Sequence, residues 1–290
     1  MNNSDIKDPL FRDAVEAIDS GNLSSLQNLL KANPQLISQR LDFPTDGYFK
    51  HPYLLWFVAD NPIRHEKLPA NIVAVTKMLI NAARSYAADS FQQQIDYTLG
   101  LVATGRIPRE SGVQNEWIDL LIDNGAIPEN GIGALAHGNI DAARHLINRG
   151  AKLTLATAVG LDMQDEIQRL SKEATKTDLQ LAIMMAAFYG KSKMISFLVS
   201  LGADVNAYLD RSSGFHSHAS ALHQAVFSGS LESVKILIDA RADLNAKDRI
   251  YDGTPLDWAV YMQKEEPDEM KKKKYTEIEV FLKSKLKHRG

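Results

Sequence analysis

Three histidines near residue 220 are the side chains of this sequence best suited to binding a metal ion. His216 and His218 flank Ser217, and His223 lies nearby. Neutral imidazoles are common ligands of zinc and other divalent metals, so these residues could hold a metal or a small ligand. No carboxylate stands at an obvious matching spacing, and exposed histidines without a ligand are the competing interpretation.

Two glycine-containing segments look like nucleotide-binding loops but lack essential parts. Gly190-Lys191-Ser192 matches the end of a phosphate-binding loop, yet the glycine required five positions before Gly190 is Met185. Residues 131–136 read GIGALA, but no apolar strand leads into them, as a dinucleotide fingerprint needs. We therefore predict no cofactor and no catalytic residue, and we expect the protein not to be an enzyme.

Composition narrows the remaining chemistry. The 290 residues are 44% hydrophobic and 24% charged, which is typical of a folded globular chain. There is no cysteine, which excludes disulfides, thiolate metal sites and cysteine nucleophiles. The first ten residues lack the features of a signal peptide, and no apolar run approaches the length of a membrane span. We expect a cytoplasmic protein with no membrane partner.

The charge is distributed unevenly along the chain. Residues 271–289 carry seven Lys and one Arg against two Glu, a net +6, so the remainder carries −9 of the total −3. Such a tail could contact phosphates. It also contains an apolar stripe at helical spacing, which favours the solvated face of a terminal capping helix, and nucleic acid is not the expected partner. The stripe consists of Tyr275, Ile278, Leu282 and Leu286.

The elements that must position these groups are revealed by internal repetition. An aliphatic pair, two variable residues and Gly-Ala recur at 121–126, 146–151 and 198–203. A fourth copy at 237–242 has Arg241 in the place of the glycine. Aliphatic residues pack the last turn of a helix, and glycine readily adopts the left-handed conformation that ends it. Each copy therefore predicts the end of a helix.

Two further phrases complete the repeating unit. A glycine breaks the chain ahead of a helical run at Gly21, Gly138, Gly190 and Gly229. The phrases TPLDWA at 254–259 and SALHQA at 220–225 each begin with a hydroxyl residue that can cap a helix. The predicted unit is a helix, a glycine turn, a second helix and a closing glycine.

Together these phrases resemble the ankyrin repeat, whose consensus contains T-P-L-H-x-A, L-L-x-x-G-A and D-x-N-A. The last phrase is matched by ADVNA at 203–207 and ADLNA at 242–246. The resemblance is closest over residues 175–260. In the first half it rests on helical patterns, such as Asp8-Pro9 capping a helix with Phe11, Ala14, Val15 and Ile18 on one face. Other helical segments are expected at 53–59, 72–86, 95–104 and 115–123, with a shortened unit at 155–174.

The resemblance implies an all-α solenoid of about seven helix-turn-helix units joined by hairpin-like loops. We expect one ankyrin-repeat domain over 1–290. Its parts are an N-terminal capping repeat and long loop at 1–52, divergent repeats at 53–174, consensus-like repeats at 175–260 and a capping helix at 261–290. In this family His223 would have the structural hydrogen-bonding role of the consensus histidine.

The resemblance also implies a non-enzymatic scaffold that binds a protein partner through its concave face and projecting loops, and we expect a monomer. The alternative is a protein that binds a metal or a small ligand through the His216, His218 and His223 region. Metal analysis separates the two hypotheses.

One candidate contact region is the loop at 208–218, which holds five more residues than its counterpart in the next repeat. Tyr208, Arg211 and Phe215 are residue types common in interface hot spots, and His216 and His218 lie beside them. A neutral insertion is the competing interpretation, because loop closure costs little for a few extra residues.

A second candidate region is 41–53, where Phe43, Tyr48 and Phe49 surround a turn marked by proline and Asp-Gly. Packing against the first repeat is the competing interpretation. Tyr251 completes the set of candidate partner-binding residues. Trp56 and Trp258 fall in first helices, and we expect both in the core.

Overall fold

The computed structural model describes residues 5–42, 49–59 and 66–287, and every regular element in these ranges is helical. The one antiparallel bridge that they contain is isolated and joins Arg40 to Tyr53. The predicted all-α class is confirmed. Within the same ranges, no helix combines the length and apolar character needed to cross a membrane.

The chain divides into two compact units, residues 1–152 and 153–290. The helices of the first unit are α1 (Pro9–Asp19), α2 (Leu23–Ala32), α3 (Gln35–Ser38), α4 (Ile72–Tyr86), α5 (Phe91–Thr104), α6 (Arg106–Glu110), α7 (Gln114–Asp123), α8 (Ile132–Ala136) and α9 (Ile140–Asn148). Short 3₁₀ helices lie at Leu54–Val58 and Ala88–Ser90. Helices α1 and α2, α5 and α7, and α8 and α9 pack as pairs.

The first helix begins as its sequence predicts. The Asp8 carboxylate accepts hydrogen bonds from the backbone N–H groups of Leu10 and Phe11, which satisfies donors that lack a partner within the helix. The predicted apolar face of α1 is buried. Phe11 packs edge-on against Phe57, with ring centroids 5.5 Å apart, so α1 shares a core with the 3₁₀ helix.

The segment predicted as a helix at 53–59 is a 3₁₀ helix whose five side chains are all buried. Trp56 lies in the core, as expected, and its indole N–H donates to the carbonyl oxygen of Gln94 at 3.2 Å. Phe49 is also buried and packs edge-on against Phe57 at 5.1 Å. These contacts agree with the packing interpretation for Phe49.

The second unit contains α10 (Leu155–Gly160), α11 (Gln164–Leu170), α12 (Lys176–Phe188), α13 (Ser192–Ser200), α14 (Ala221–Phe227), α15 (Leu231–Asp239), α16 (Pro255–Glu265) and α17 (Glu269–Lys287). Short 3₁₀ helices lie at Ser171–Glu173 and Arg211–Ser213. The first helices α10, α12, α14 and α16 pack in succession, and each also packs on the second helix that follows it. Helices α13, α15 and α17 pack in succession as well. Stacked helix pairs of this kind bury apolar faces that no pair could bury alone.

Capping boxes begin three of these first helices. In α12 and α16 a threonine hydroxyl caps the third backbone N–H, and an aspartate returns the bond to the cap, as Thr254 and Asp257 do. In α14 the returning side chain is His223, whose Nδ1 lies 3.3 Å from the backbone N–H of Ser220. The hydroxyl residues that open the phrases at 220–225 and 254–259 therefore lie in capping boxes, as predicted.

The closing phrases end their helices in the left-handed conformation. Gly202 has a φ of +93°, and Arg241, at the equivalent place in the fourth copy, has a φ of +70°. The alignment of Arg241 with the helix-ending glycines is confirmed. L-residues with a Cβ are disfavoured in this conformation.

The last two helices differ in their bounds from the predicted cap at 261–290. Helix α16 continues to Glu265 and stops before Pro267, which disfavours helical geometry in the residue preceding it. The capping helix is α17, and the predicted stripe faces inwards, with Tyr275, Ile278 and Leu282 buried and Leu286 half-buried. The count of about seven repeats and the predicted division into segments stay predictions.

Candidate functional site

Three consecutive first helices carry an aromatic residue at the same position. Phe227 and Tyr261 each lie seven residues after the capping residue of their helix, Ser220 or Thr254. Phe188 precedes Gly190 by two positions, as Phe227 precedes Gly229. We call Phe188, Phe227 and Tyr261 the aromatic row.

The aromatic row is part of the surface of the second unit. The rings of Phe188 and Phe227 stack with centroids 5.3 Å apart and planes 16° apart. Phe227 is 41% exposed, and Tyr261 on the next first helix is 62% exposed. Large rings at equivalent positions of neighbouring repeats give a patch that can bury apolar area against another molecule.

The insertion loop, residues 208–218, lies against one end of this row. Phe215 is buried, with its ring centroid 5.4 Å from that of Phe188. His216 stacks on Phe188 at 4.7 Å and 23°. Phe188 therefore stacks with both His216 and Phe227 and meets Phe215 edge-on. These contacts anchor the aromatic end of the insertion loop.

Arg249 joins the insertion loop to the next projecting loop, residues 242–253 between α15 and α16. We call this loop the last finger. The backbone N–H of Arg249 donates to the carbonyl oxygen of His218 at 2.7 Å, and its Nη1 donates to those of Leu209 and Ser217, each at 3.3 Å. Its guanidinium carbon lies 4.6 Å from the centroid of the Tyr208 ring. Arg249 thus contacts both ends of the insertion loop.

Tyr208 makes a second link between the same two loops. Its hydroxyl donates to the carbonyl oxygen of Lys247 at 2.7 Å. Burial raises the pKa of the Tyr208 phenol, partly against the opposing charge of Arg249, so the hydroxyl stays protonated and remains a donor.

Asp248 organises the last finger. Its carboxylate accepts bonds from the backbone N–H groups of Ile250, Tyr251 and Gly253 and from the indole N–H of Trp258. Burial opposes ionisation, but these four bonds outweigh it and lower the pKa of Asp248 to about 2. The ionised carboxylate therefore holds the tip of the finger against α16, and Trp258 is half-buried beside it.

The three histidines considered as an alternative metal site are not arranged as a cluster of metal ligands. His223 is buried, with Nδ1 2.8 Å from the Ser220 hydroxyl oxygen and Nε2 3.0 Å from the carbonyl oxygen of Gly253, so both ring nitrogens are engaged in hydrogen bonds. The ring centroids of His216 and His218 are 6.0 Å apart. No group of three or more potential metal ligands occurs in the described part of the chain. His223 has the structural role that the resemblance implies.

The predicted contact residues fall into four groups. Tyr251, which is 79% exposed, and Arg211 are on the surface, while Tyr208, His216 and His218 are half-buried at the junction described above. Phe215 and Phe49 are buried. Phe43 and Tyr48 lie outside the described residues.

Sequence reasoning missed Phe227 and Tyr261 as surface residues. The signal was available, because the repeated phrases align these positions and a first helix has one face turned away from its neighbours. The packing of the two helices in these two repeats then shows that the seventh residue after the cap lies on this outward face.

Helix α17 contacts the end of α14, which carries Phe227 of the aromatic row. The hydroxyl of Tyr275 donates to the carbonyl oxygen of Phe227 at 3.0 Å, which satisfies a carbonyl at the end of α14. Burial raises the pKa of Tyr275, with a further contribution from the charge of Glu266, so the phenol remains a donor. The capping helix therefore fixes the backbone on which Phe227 is carried.

Paired helices, capping hydroxyls and left-handed closing residues define a helical-repeat protein with an aromatic surface. A family model described as ankyrin repeats in three copies matches residues 132–248 and 183–266. Residues 132–266 therefore contain ankyrin repeats. No curated protein matches the chain in a sequence search.

Proposed function

We propose that the protein is a non-enzymatic scaffold, acting as a monomer, that binds a protein partner through the first-helix face and the projecting loops of its second unit. Ankyrin repeats are generally modules of protein–protein interaction. The contact surface comprises the exposed members of the aromatic row, Phe227 and Tyr261, with Tyr251 of the last finger and Arg211 of the insertion loop.

The observation that carries this proposal is the exposure of aromatic rings at one repeated position. A stack of repeats needs apolar residues where helices pack, but Phe227 and Tyr261 keep 41% and 62% of their surface exposed. Aromatic residues are enriched where interfaces derive most of their binding energy. An aromatic patch on rigid helices is also ordered before binding, which reduces the entropy lost on association.

Affinity capture from a native lysate tests the proposal. The wild-type chain and a Phe227→Ser, Tyr261→Ser variant are immobilised, and the bound proteins are compared by quantitative mass spectrometry. We expect one or more proteins to be captured by the wild type and depleted with the variant. Thermal melting of both proteins establishes that the variant is folded.

A matched control comes from the first unit. Tyr86 is 53% exposed and Ile127 is 64% exposed, so Tyr86→Ser, Ile127→Ser removes comparable apolar surface elsewhere. The control should capture the same proteins as the wild type. Equal capture by all three chains would contradict the assignment of the surface, and depletion with both variants would indicate non-specific adhesion to apolar residues.

The buried Phe215 guides the choice of variants in the insertion loop. Deleting residues 209–217 would remove Phe215 from beside Phe188 and would confound binding with folding. Arg211→Ala alters an exposed side chain only, and we expect it to weaken capture of the same partner while leaving the melting midpoint unchanged.

A further inference from the structure

The last finger and α16 bring carboxylates close to exposed aromatic rings. Residues 242–261 contain four Asp against one Lys and one Arg, a net charge of −2. The exposed apolar side chains of this segment include Tyr251 and Tyr261, at 79% and 62%. We call the following residues the acidic aromatic edge: Ile250, Tyr251, Asp252, Asp257, Val260 and Tyr261.

On α16 a carboxylate and a ring share one helix face. Asp257 and Tyr261 are four residues apart, a spacing that places side chains next to each other on a helix. Bonds from the side chain and the backbone N–H of Thr254 lower the pKa of Asp257 against the effect of burial, with a further contribution from the charge of Lys247. Asp257 is exposed and carries its negative charge at neutral pH.

The finger adds a second carboxylate and a second ring. Asp252 is exposed, with its Oδ2 2.6 Å from the Nζ of Lys247, and Tyr251 precedes it. The bonds from Tyr251 and Trp258 to Asp248 hold this turn against α16, one helical turn before Tyr261. Lys247 balances one of the two exposed carboxylates, so the edge keeps an excess of negative charge.

The same unit already binds one guanidinium in such surroundings. Arg249 lies over the ring of Tyr208 and donates to the carbonyl oxygens of Leu209 and Ser217. A planar cation attracted to a ring face while its N–H groups find oxygen acceptors is a favourable arrangement for arginine. Tyr261 and Asp257 offer both components to an arginine from outside.

We propose that the acidic aromatic edge binds a segment of a partner protein that presents an arginine beside an apolar residue. The guanidinium packs on Tyr261 and pairs with Asp257, and the apolar residue contacts Ile250 and Val260, which are 61% and 43% exposed. This inference rests on the proposed function and specifies its partner. Nucleic acid is the wrong ligand for this edge, because the carboxylates repel phosphates.

A random-peptide selection provides a probe of defined chemistry. Phage-displayed peptides of about twelve residues, long enough to span two neighbouring repeats, are selected on the immobilised full chain. We expect the selected sequences to be enriched in arginine adjacent to an aliphatic residue. A selected peptide is then synthesised with arginine and with glutamine in its place, and both are titrated by fluorescence anisotropy.

Substitutions of Tyr261 separate a ring–cation contact from simple apolar contact. Tyr261→Phe keeps the ring face and should keep the affinity, whereas Tyr261→Leu keeps apolar volume and should weaken binding about threefold to tenfold. Asp257→Asn should weaken binding by a similar factor, most strongly at low salt. Tyr86→Leu, in the first unit, is the matched control and should leave the affinity unchanged.

Several outcomes would overturn this inference. They are a selection that yields no peptides, selected peptides without arginine, glutamine peptides that bind as tightly, and a Tyr261→Leu variant with wild-type affinity. In any of these cases the protein captured through Phe227 and Tyr261 would still support the scaffold function. If instead the Phe227→Ser, Tyr261→Ser variant captured the same proteins as the wild type, the proposed function itself would be contradicted.

Discussion

The Nε2–H of His223 donates a hydrogen bond to the carbonyl oxygen of Gly253, which lies 3.0 Å away in the next repeat. Because a carbonyl oxygen only accepts, this bond fixes the neutral tautomer and leaves Nδ1 as an acceptor for the Ser220 cap at 2.8 Å. One buried imidazole therefore completes a helix cap in its own repeat and joins that repeat to the following finger.

The buried position of His223 makes the free energy of unfolding depend on pH. Burial is the main cause that lowers the pKa of His223, and of His218, below the ordinary value of 6.5. The unfolded chain then binds a proton more readily than the folded one, so the free energy of unfolding falls as the pH drops below that value. The loss is at most about 1.4 kcal/mol per pH unit for each histidine.

Denaturant unfolding at about pH 7.5 and about pH 5.5 measures this dependence. His223→Gln should be less stable than the wild type at the higher pH and should lose less stability on acidification. His137 is exposed, and His137→Gln serves as the control that should follow the wild type. A His223→Gln variant with an unchanged pH response would show that this imidazole does not cause the effect.

Asp248 should also contribute stability that is lost on acidification, but in a lower pH range than the histidines. Its pKa, lowered to about 2, lies below that of an unfolded aspartate, so its stabilisation is complete above about pH 4 and is lost as the pH falls towards 2. Asp248→Asn should cost about 2 kcal/mol at neutral pH, because the amide cannot accept all four bonds. Asp252→Asn, at an exposed carboxylate, is the matched control for the unfolding experiment and should cost well under half as much.

Arg241→Gly should stabilise the fold by roughly 1 kcal/mol. Arg241 is held at a φ of +70°, where glycine is unstrained, and the relief of strain exceeds the extra entropy of glycine in the unfolded chain. The denaturation midpoint should rise for Arg241→Gly and stay near the wild-type value for Arg241→Ala, which keeps the Cβ. A midpoint that rises equally for both would mean that the arginine side chain, and not the backbone, is unfavourable.

The insertion loop should behave as part of the core at Phe215 and as surface at Arg211. Phe215→Ala removes a buried ring packed against Phe188 and should cost about 3 kcal/mol or more. Arg211→Ala should change the free energy of unfolding by less than about 0.5 kcal/mol. Equal and small effects at both positions would show that the loop is not anchored.

Local signals were sufficient to predict much of this fold. Asp8 and Thr254 cap their helices through atoms within three residues, and Arg241 takes the conformation of the glycines it replaces. Such features depend on short-range backbone geometry, which a repeated phrase records. The segment at 54–58 was harder to assign, because all five of its side chains are buried and periodicity cannot distinguish a 3₁₀ from an α-helix there.

The candidate surface was predicted less well, because it depends on contacts between residues that are distant in sequence. Nothing local to Phe215 indicates that it packs against Phe188 while Arg211, four residues earlier, stays exposed. The role of Asp248 likewise depends on Trp258, ten residues later and on another element. Residue type alone placed Phe215 among contact residues, whereas its burial assigns it to holding the loop.

The hydrogen bonds of Arg249 link the insertion loop, with its five additional residues, to the following repeat. Since this one side chain contacts both Leu209 and Ser217, the loop cannot lift away without detaching from the finger beneath it. A partner that settles on the loop would thereby resist fraying of the terminal repeat. Occupancy should then be detectable as slower amide exchange in α16, even where the partner touches none of its residues.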